Sequence, residues 1–445
     1  MELSPQDSRP SGLRRTLSTS DLTLLVIGNV IGSGIFLVPS SVLRESGSVR
    51  VAVLVWLIGG VLSLFGALSY AELGAMDKGS GGLYAYTRDA FGRFPAFLYG
   101  WTLFFVIGTG TIATLAVAAA NYMGQFAELT PLMKRVIAVS LILLMAVINV
   151  RGTRGSASVQ NWATGIKVGA IVVMSMILLL MGGATGASQS ATPLAAPPSM
   201  FAAIGVAMIS VLWAYEGWQY VTMAAGEAVE PQKALPRAIA WGTVALIAIY
   251  MLANVAYLAA LGPAGVAGSD RVAGEAMAAV LGPWAGKAIA IAIIISMYSA
   301  AHATVITAPR VYYTMAQDRI FFAKLAEVHP RFGTPAFAIV TSCIWAAVLA
   351  WSGTFEQLLT YVVFIGWIFY ALGAASVIVL RRTRPDAERP FRVPGYPLTP
   401  ILFVLAAIAI VGNTILTQPK QAAIGLAVVF LGAPAFWFWN RQRSV

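Results

Sequence analysis

Two apolar segments of the sequence carry small or charged residues close to their centres. Residues 22–43 contain GNVIGSGIF at 28–36, and residues 200–225 contain AYEGW at 214–218. Glycine costs a helix interior about 1 kcal/mol relative to alanine and releases the backbone from helical angles. Both segments are therefore predicted to form helices that are interrupted near their midpoints.

An interrupted helix exposes unpaired peptide groups that can bind charge. N–H groups at one new end attract a carboxylate, and C=O groups at the other attract an ammonium. An α-amino acid carries both groups, and paired interrupted helices in a membrane protein indicate a transport site. The alternative is that glycines such as Gly32 and Gly34 only let helices pack closely.

Ionisable and aromatic side chains near these breaks are further candidates for functional roles. Lys167 lies about eight residues inside an apolar segment, where its ammonium could replace a coupling cation, titrate, or reach the membrane surface. Glu216 could select cationic substrates, carry a proton, or pair with a neighbouring helix, and we favour the pairing. Trp213 is expected to close over a bound substrate. His302 could relay protons, but a neutral hydrogen-bonding role is favoured.

The sequence has few residues that could support redox, metal-binding, enzymatic or channel functions. Cys343 is the only cysteine, so no intrachain disulfide or CxxC metal site exists, and the two histidines, His302 and His329, cannot build a His-rich metal centre. An intramembrane enzyme would also need paired carboxylates or an activated nucleophile. A channel would need rings of like residues around a pore. We expect no enzyme activity, no cofactor and no metal site.

The elements that must position these residues are membrane-spanning helices. Of the 445 residues, 58% are hydrophobic and 11% are charged, where a soluble domain has about 25% charged. Crossing a hydrocarbon layer of about 30 Å takes roughly 20 helical residues. That length predicts an all-α polytopic protein with twelve spans, at 22–43, 51–76, 95–123, 133–150, 160–183, 200–225, 236–262, 284–315, 335–353, 356–380, 398–416 and 421–440.

The net charge of +11 is interpreted as a signal for the orientation of the chain in the membrane. Most of the 29 Lys and Arg residues fall in alternate short loops and in the tails, without a basic face interleaved with aromatics. Nucleic acid is therefore not an expected partner, whereas membrane lipids are. By the positive-inside rule both termini are predicted to be cytoplasmic, in a plasma membrane that is expected to be a bacterial inner membrane.

The spans divide into two comparable halves. Each half holds five spans, an odd number that predicts a five-plus-five inverted repeat with discontinuous helices 1 and 6 and two extra C-terminal helices. The predicted parts are a cytoplasmic tail at 1–20, a first repeat at 21–183, an external linker at 184–199, a second repeat at 200–381, a cytoplasmic loop at 382–397, helices 11 and 12 at 398–440 and a cytoplasmic tail at 441–445.

These motifs resemble the amino acid–polyamine–organocation superfamily, nearest its L-type amino acid transporter branch and bacterial relatives. The similarity runs from about residue 20 to residue 415. Its landmarks, in order, are GNVIGSGIF, GALSYAELGAMDKGSGGLYAYTRDAFG, AYEGWQYVTMAAGEAVEPQKALPRAI, APRVYYTMAQDRIFFAKLAEVHPRFGTPAFA and LRRTRPDAERPFRVPGYP. The resemblance implies a leucine-transporter-like fold that moves amino acids by alternating access.

The resemblance also implies site residues. Backbone N–H groups in the first break would hold the carboxylate and carbonyls in the second the amino group. Trp213 matches the aromatic gate, and Lys167, with Thr304 as its neighbour, matches a lysine that replaces sodium. The implied substrate-binding set is Ile31, Gly32, Ser33, Gly34, Ile35, Trp213, Ala214, Tyr215, Glu216, Gly217, Gln219 and Trp367.

Two features qualify what the resemblance implies. The loop GQFAELTP lacks the cysteine that joins animal L-type chains to a heavy chain, so no disulfide-linked heavy chain is expected. Glu216 stands where many relatives carry a small or apolar residue, which affects side-chain selectivity. The expected function is sodium-independent exchange or proton-linked uptake of amino acids, with amines or polyamines as the alternative substrates.

Overall fold

The described part of the chain is helical. The computed structural model describes residues 15–77, 79, 81–185, 200–353 and 355–442. Its helices are α1 Thr19–Val30, α2 Gly34–Ser46, α3 Val49–Met76, α4 Leu83–Phe91, α5 Arg93–Thr102, α6 Gly108–Met123, α7 Pro131–Val150, α8 Thr153–Met181, α9 Met200–Ala214, α10 Pro231–Gly268, α11 Val272–Leu281, α12 Pro283–Gln317, α13 Ala336–Ser352, α14 Phe355–Thr383, α15 Leu398–Thr417 and α16 Pro419–Gln442.

The lengths and apolar character of these helices confirm a polytopic membrane protein. Within the described ranges, nine helices are long and apolar enough to cross a membrane, or ten when α1 and α2 count as one bent span. The helices α9 and α13, with 15 and 17 residues, are shorter than a full span. Twelve spans therefore remain a prediction.

Three of the predicted tail and linker segments are only partly visible. The structure does not describe residues 1–14, 186–199 and 443–445. Most of the predicted N-terminal tail, external linker and C-terminal tail thus lies outside the described residues.

Local irregularities occur where the sequence requires them. A π-helical turn, Leu103–Ile107, joins α5 to α6 without ending the span. The helix α10 bends at Gly262, which has φ 67° and is followed by Pro263. Positive φ suits glycine, and proline cannot continue the preceding hydrogen-bond pattern. The bend lies at the residue where the sequence predicts span 7 to end.

The outer surface of the bundle is apolar, and small residues lie where its helices touch. Leu180 and Leu416 expose more than four-fifths of their surface, and Phe430 exposes 69%. Such side chains suit lipid as the surrounding solvent. Inside, a Cβ atom on Gly59 of α3 would lie 2.5 Å from Cγ1 of Val211 in α9. Small residues thus bring helix backbones together, as is common in membranes.

Charged side chains pair at one end of the bundle. Arg310 donates from Nε to Oε2 of Glu227 at 2.8 Å, and the two side chains are 1% and 0% exposed. Arg381 donates from Nε and Nη2 to the two carboxylate oxygens of Glu72, at 2.9 and 2.6 Å. Bidentate arginine–carboxylate pairs are strong and geometrically specific. We term this group the ion-pair layer; its members are Glu72, Arg88, Glu227, Arg310, Asp318 and Arg381.

The start of the described chain is tied to the same end. The N–H groups of Thr16 and Leu17 both donate to the carbonyl of Glu227, at 2.8 and 2.9 Å, and the N–H of Val229 donates to the carbonyl of Leu17 at 2.8 Å. This short parallel bridge joins the residues before α1 to the segment that follows α9. We term it the N-terminal bridge.

Candidate functional site

The first predicted break is present between α1 and α2. The helix α1 ends at Val30, Ile31 has extended backbone angles, and α2 begins at Gly34. The two helices are bent by 43° relative to each other. The glycine-rich motif thus produces a local change of direction inside one apolar segment.

The second predicted break follows α9. That helix ends at Ala214, a turn follows, and the chain continues as a 3-10 helix over Trp218–Glu227. Gly217 stands in the turn with φ 130° and ψ −21°, a conformation that L side chains rarely adopt. The glycine after Glu216 is therefore required by the backbone at this point.

The two breaks contact each other directly. A Cβ atom on Gly34 would lie 2.5 Å from Cα of Ala214, and one on Gly217 would lie 2.8 Å from the carbonyl carbon of Asn29. Such distances are shorter than real Cβ contacts, so both positions need a hydrogen atom in place of a side chain. The two interrupted segments thus lie in direct contact.

Lys167 binds the carbonyl groups at the end of α1. Its side chain is fully buried, and Nζ donates to the carbonyls of Gly28 and Ile31 at 2.7 and 2.6 Å. Carbonyls in the last turn of a helix lack intrahelical partners and carry partial negative charge. The ammonium satisfies both, so Lys167 in α8 faces the first break and does not extend to the membrane surface.

Two hydroxyl groups that the sequence analysis did not identify contact the same backbone. Oγ of Ser296 in α12 lies 3.1 Å from the carbonyls of Ile31 and Gly32 and donates its one proton between them. The hydroxyl of Tyr250 in α10 lies 3.1 Å from the carbonyl of Val30 and 3.0 Å from that of Ala214. Tyr250 therefore bridges the two breaks. Its only signal in the sequence is a tyrosine inside an apolar segment.

A small buried cavity lies between the breaks. Seven of the predicted residues line it, which are Gly32, Ser33, Gly34, Trp213, Glu216, Gly217 and Thr304. Five further residues also line it and were not predicted, namely Asn29, Val30, Thr111, Leu115 and Tyr220. The structure thus brings the core of the predicted set to one enclosed space.

Trp213 and Glu216 each link the cavity to a neighbouring element. Nε1 of Trp213 donates to Oγ of Ser33 at 3.4 Å, across the two breaks. Oε1 of Glu216 accepts a hydrogen bond of 2.6 Å from the hydroxyl of Tyr370 in α14. The pairing of Glu216 with a neighbouring helix, which the sequence analysis favours, is therefore seen.

Other predicted residues lie beside the cavity and do not line it. The side chains of Ile31 and Ile35 are fully buried, and Ala214 backs Gly34. Tyr215 packs edge-on against Trp56.

The last two predicted residues, Gln219 and Trp367, also do not line the cavity. Oε1 of Gln219 accepts from the N–H of Gly217 at 3.1 Å, which holds the turn. Trp367 packs against Phe403, with ring centroids 5.3 Å apart, instead of facing the cavity.

Thr304 and His302 occupy different surroundings in α12. Thr304 lines the cavity and donates to the carbonyl of Ala300 at 3.2 Å. The α12 side chain that shares the Ile31 carbonyl with Lys167 is Ser296 and not Thr304. His302 is fully buried and stacks on Tyr298. Neither of its ring nitrogens has a partner among the described residues, so the interhelical hydrogen bond that we favoured is not seen.

Metal ligands are not grouped in the described ranges. No set of three or more His, Cys, Asp and Glu side chains there is arranged to hold a metal ion. The charged and polar groups at the breaks are instead an ammonium, hydroxyls and one carboxylate. These groups suit hydrogen bonding to a small polar molecule.

Comparison with known proteins gives relatives along nearly the whole chain. The serine/threonine exchanger SteT of Bacillus subtilis is 30% identical over 98% of this chain and 99% of its own length. The human cystine/glutamate transporter is 30% identical over 98% of this chain and 89% of its own. The human large neutral amino acids transporter small subunit 2 is 31% identical over 94% of this chain and 79% of its own.

These relatives are amino acid transporters and exchangers, and they confirm the resemblance drawn from the motifs. The family is one of transporters, which agrees with the expectation that the chain is not an enzyme. The family model described as amino acid permease matches residues 17–433. This multi-pass membrane protein therefore belongs to the amino acid permease family.

Proposed function

We propose that this protein is a secondary transporter that moves amino acids across the cell membrane by alternating access, without sodium. The observation that carries the proposal is the direct contact of two interrupted helices around one buried cavity, with bare backbone on both sides. Alternating access would move the broken segments against the surrounding helices and open the cavity to each side in turn.

The α-carboxylate of the substrate would bind the first break. N–H groups at Gly32, Ser33 and Gly34 stand at the beginning of α2, where a helix N-terminus favours negative charge. The α-amino group would bind the second break, where the carbonyls of Trp213 and Ala214 stand at the end of α9 and that of Glu216 stands in the turn that follows. Trp213 would cover the bound molecule.

Lys167 would take the place of a coupling cation. Its ammonium already holds the Gly28 and Ile31 carbonyls, which a sodium ion would otherwise bind. This arrangement keeps the first break in shape without an ion and supports sodium-independent transport. Exchange and proton-linked uptake are both compatible with a fixed or titrating lysine.

The fold proposed for this function has twelve spans in a five-plus-five inverted repeat with two extra helices. Each proposed half opens with an interrupted helix, α1–α2 in the first and α9 with its 3-10 continuation in the second. Both termini are proposed to be cytoplasmic. No disulfide-linked heavy chain is proposed, because Cys343, the only cysteine, is fully buried in α13.

The test is uptake by the purified protein in liposomes. A panel of labelled proteinogenic amino acids, amines and polyamines is offered with and without sodium, a pH gradient or unlabelled amino acid inside. Stimulation by internal amino acid identifies an exchanger, and stimulation by the pH gradient identifies proton-linked uptake. Uptake of amines alone, a requirement for sodium, or currents at channel rates would contradict the proposal.

A further inference from the structure

Glu216 leaves one carboxylate oxygen without a partner at the cavity. Its Oε1 atom accepts the Tyr370 hydroxyl proton at 2.6 Å. Its Oε2 atom is buried and has no hydrogen-bond partner among the described residues, and the side chain lines the cavity. A buried acceptor without a donor is unfavourable, so an acceptor of this kind at a cavity is available to a donor from a bound molecule.

Asn29 places a second unpartnered acceptor on the same cavity. Its amide nitrogen donates to the carbonyl of Leu25 at 3.0 Å, which assigns the side-chain oxygen to the opposite position. That oxygen is buried and has no partner in the described structure. The side chain is 8% exposed and lines the cavity together with Glu216. Asn29 and Glu216 thus line the same cavity, one from each interrupted segment.

The side chains of Lys167, Thr111 and Thr304 do not supply the missing donors. Lys167 is engaged with the Gly28 and Ile31 carbonyls. The hydroxyls of Thr111 and Thr304 donate to the carbonyls of their own helices, at 2.7 and 3.2 Å. Tyr220, whose hydroxyl is also unpartnered in the described structure, can accept as well as donate.

No Lys, Arg or His side chain in the described part of the chain pairs with Glu216. Among the ion pairs of the described residues, the acidic partners are Glu72, Asp89, Glu227, Glu230 and Asp318, and Glu216 is not one of them. Buried carboxylates are ordinarily paired. Among the described residues, the cavity therefore offers Glu216 no positively charged partner.

We infer that Glu216 and Asn29 form a side-chain subsite for an amino acid whose side chain ends in a hydrogen-bond donor, a hydroxyl or an ammonium. The inference rests on the proposed transport of amino acids and specifies which of them bind. A hydroxyl would donate to Oε2 of Glu216. An ammonium has three donors, enough for both acceptors, and would neutralise the carboxylate.

The subsite discriminates against apolar side chains of the same size. A methyl group in place of the hydroxyl would cover both acceptors without satisfying either. Sites built to hydrogen-bond a substrate group reject the analogue that lacks it more strongly than apolar pockets reject a missing methylene. Selectivity at this subsite thus depends on chemistry and not on volume.

The experiment compares isosteric substrates in liposome uptake. L-serine is paired with L-2-aminobutyrate, and L-2,4-diaminobutyrate is paired with L-norvaline. In wild type, we expect the donor-bearing member of at least one pair to be preferred by about tenfold or more. The pair that shows the preference identifies the donor as hydroxyl or ammonium.

Variants assign the preference to the two acceptors. Glu216→Leu is expected to abolish it, and Asn29→Ala, which keeps Glu216, to weaken it. Glu216→Gln keeps the acceptor for Tyr370 but removes the charge, so it should retain a serine preference and lose a diaminobutyrate preference. Glu230→Gln is the matched control, because Glu230 is 68% exposed and pairs with Lys233 outside the cavity. Monodisperse elution on size exclusion confirms that each variant folds.

Two results would overturn the inference alone, and a third would overturn the proposed function as well. Equal uptake within both pairs by wild type rejects it, as does an equal loss of all four substrates in Glu216→Leu while Glu216→Gln and Asn29→Ala keep the wild-type preference. Uptake of other amino acids without this discrimination leaves the proposed function standing. No uptake of any amino acid by folded, reconstituted protein rejects the proposed function, and the inference with it.

Discussion

The cavity and the ion-pair layer both contain buried acceptor groups, but these groups are paired to different extents in the two regions. In the ion-pair layer, the carboxylates of Glu227 and Glu72 each receive arginine donors on both oxygens. At the cavity, Glu216 and Asn29 each keep an acceptor without a partner in the described structure. Complete pairing holds helices in place, whereas incomplete pairing leaves interactions for a ligand to make.

The largest expected effect comes from breaking a pair in the ion-pair layer. Glu227→Ala leaves Arg310 buried without its carboxylate, and removing one partner of a buried pair destabilises by about 3–5 kcal/mol. Thermal unfolding in detergent should show a lower midpoint, and the ranking of substrates should not change. Glu230→Ala, in an exposed pair with Lys233, is the control and should change stability little. An unchanged midpoint in Glu227→Ala would remove the distinction between the two regions.

The next largest effect is expected where the breaks touch. Gly217→Ala adds a Cβ atom 2.8 Å from the Asn29 carbonyl carbon at a backbone angle that alanine disfavours. Overpacking costs about 1–3 kcal/mol and a strained backbone a similar amount, so both stability and uptake should fall. Gly165→Ala in α8 is the control, since its Cβ atom would meet nothing within 4 Å. Wild-type uptake by Gly217→Ala would contradict direct contact between the breaks.

A smaller, functional effect is expected from Lys167. Lys167→Ala removes two charge-assisted hydrogen bonds to the α1 carbonyls. Initial uptake rates should drop by about tenfold or more, and by more than in His302→Ala, whose ring nitrogens have no partner in the described structure. Equal wild-type uptake in both variants would remove the role given to the lysine.

The smallest effect is expected from the hydroxyl that bridges the breaks. Tyr250→Phe deletes one hydrogen-bonding group while keeping the buried ring, and a net hydrogen bond contributes about 0.5–1.5 kcal/mol. Uptake should fall by a few-fold with little change in the unfolding midpoint. Tyr257→Phe on the same helix is the control, because its hydroxyl has no partner among the described residues. Indistinguishable uptake by the two variants would show that Tyr250 does not couple the breaks.

The sequence predicted the parts of the site that depend on local backbone chemistry. The length and composition of the surrounding segments identify them as apolar helices. Only then can the glycines in GNVIGSGIF and AYEGW be interpreted as breaks. Lys167 was identified because a lysine at membrane depth needs a partner. Its actual partners, the Gly28 and Ile31 carbonyls, depend on how α8 packs against α1.

The residues that were missed act through positions that only the folded chain defines. Ser296 and Tyr250 are ordinary residues of apolar segments until helix packing places their hydroxyls beside carbonyls of the breaks. Trp367 was placed at the cavity from the resemblance, but in this fold its ring packs on Phe403. Side-chain direction across helices is set by tertiary packing, which spacing along one helix does not specify.

The N-terminal bridge has a mechanical consequence. It fastens Thr16 and Leu17, which lead into α1, to Glu227 and Val229, which end the second broken segment, and Glu227 is in turn held by Arg310 of α12. If α1 moves away from the bundle, either the second broken segment must move with it or the hydrogen bonds of the N-terminal bridge must break. Thr16 and Leu17 therefore restrain the movement of α1 relative to the second broken segment, and deleting the chain through Leu17 would remove this restraint.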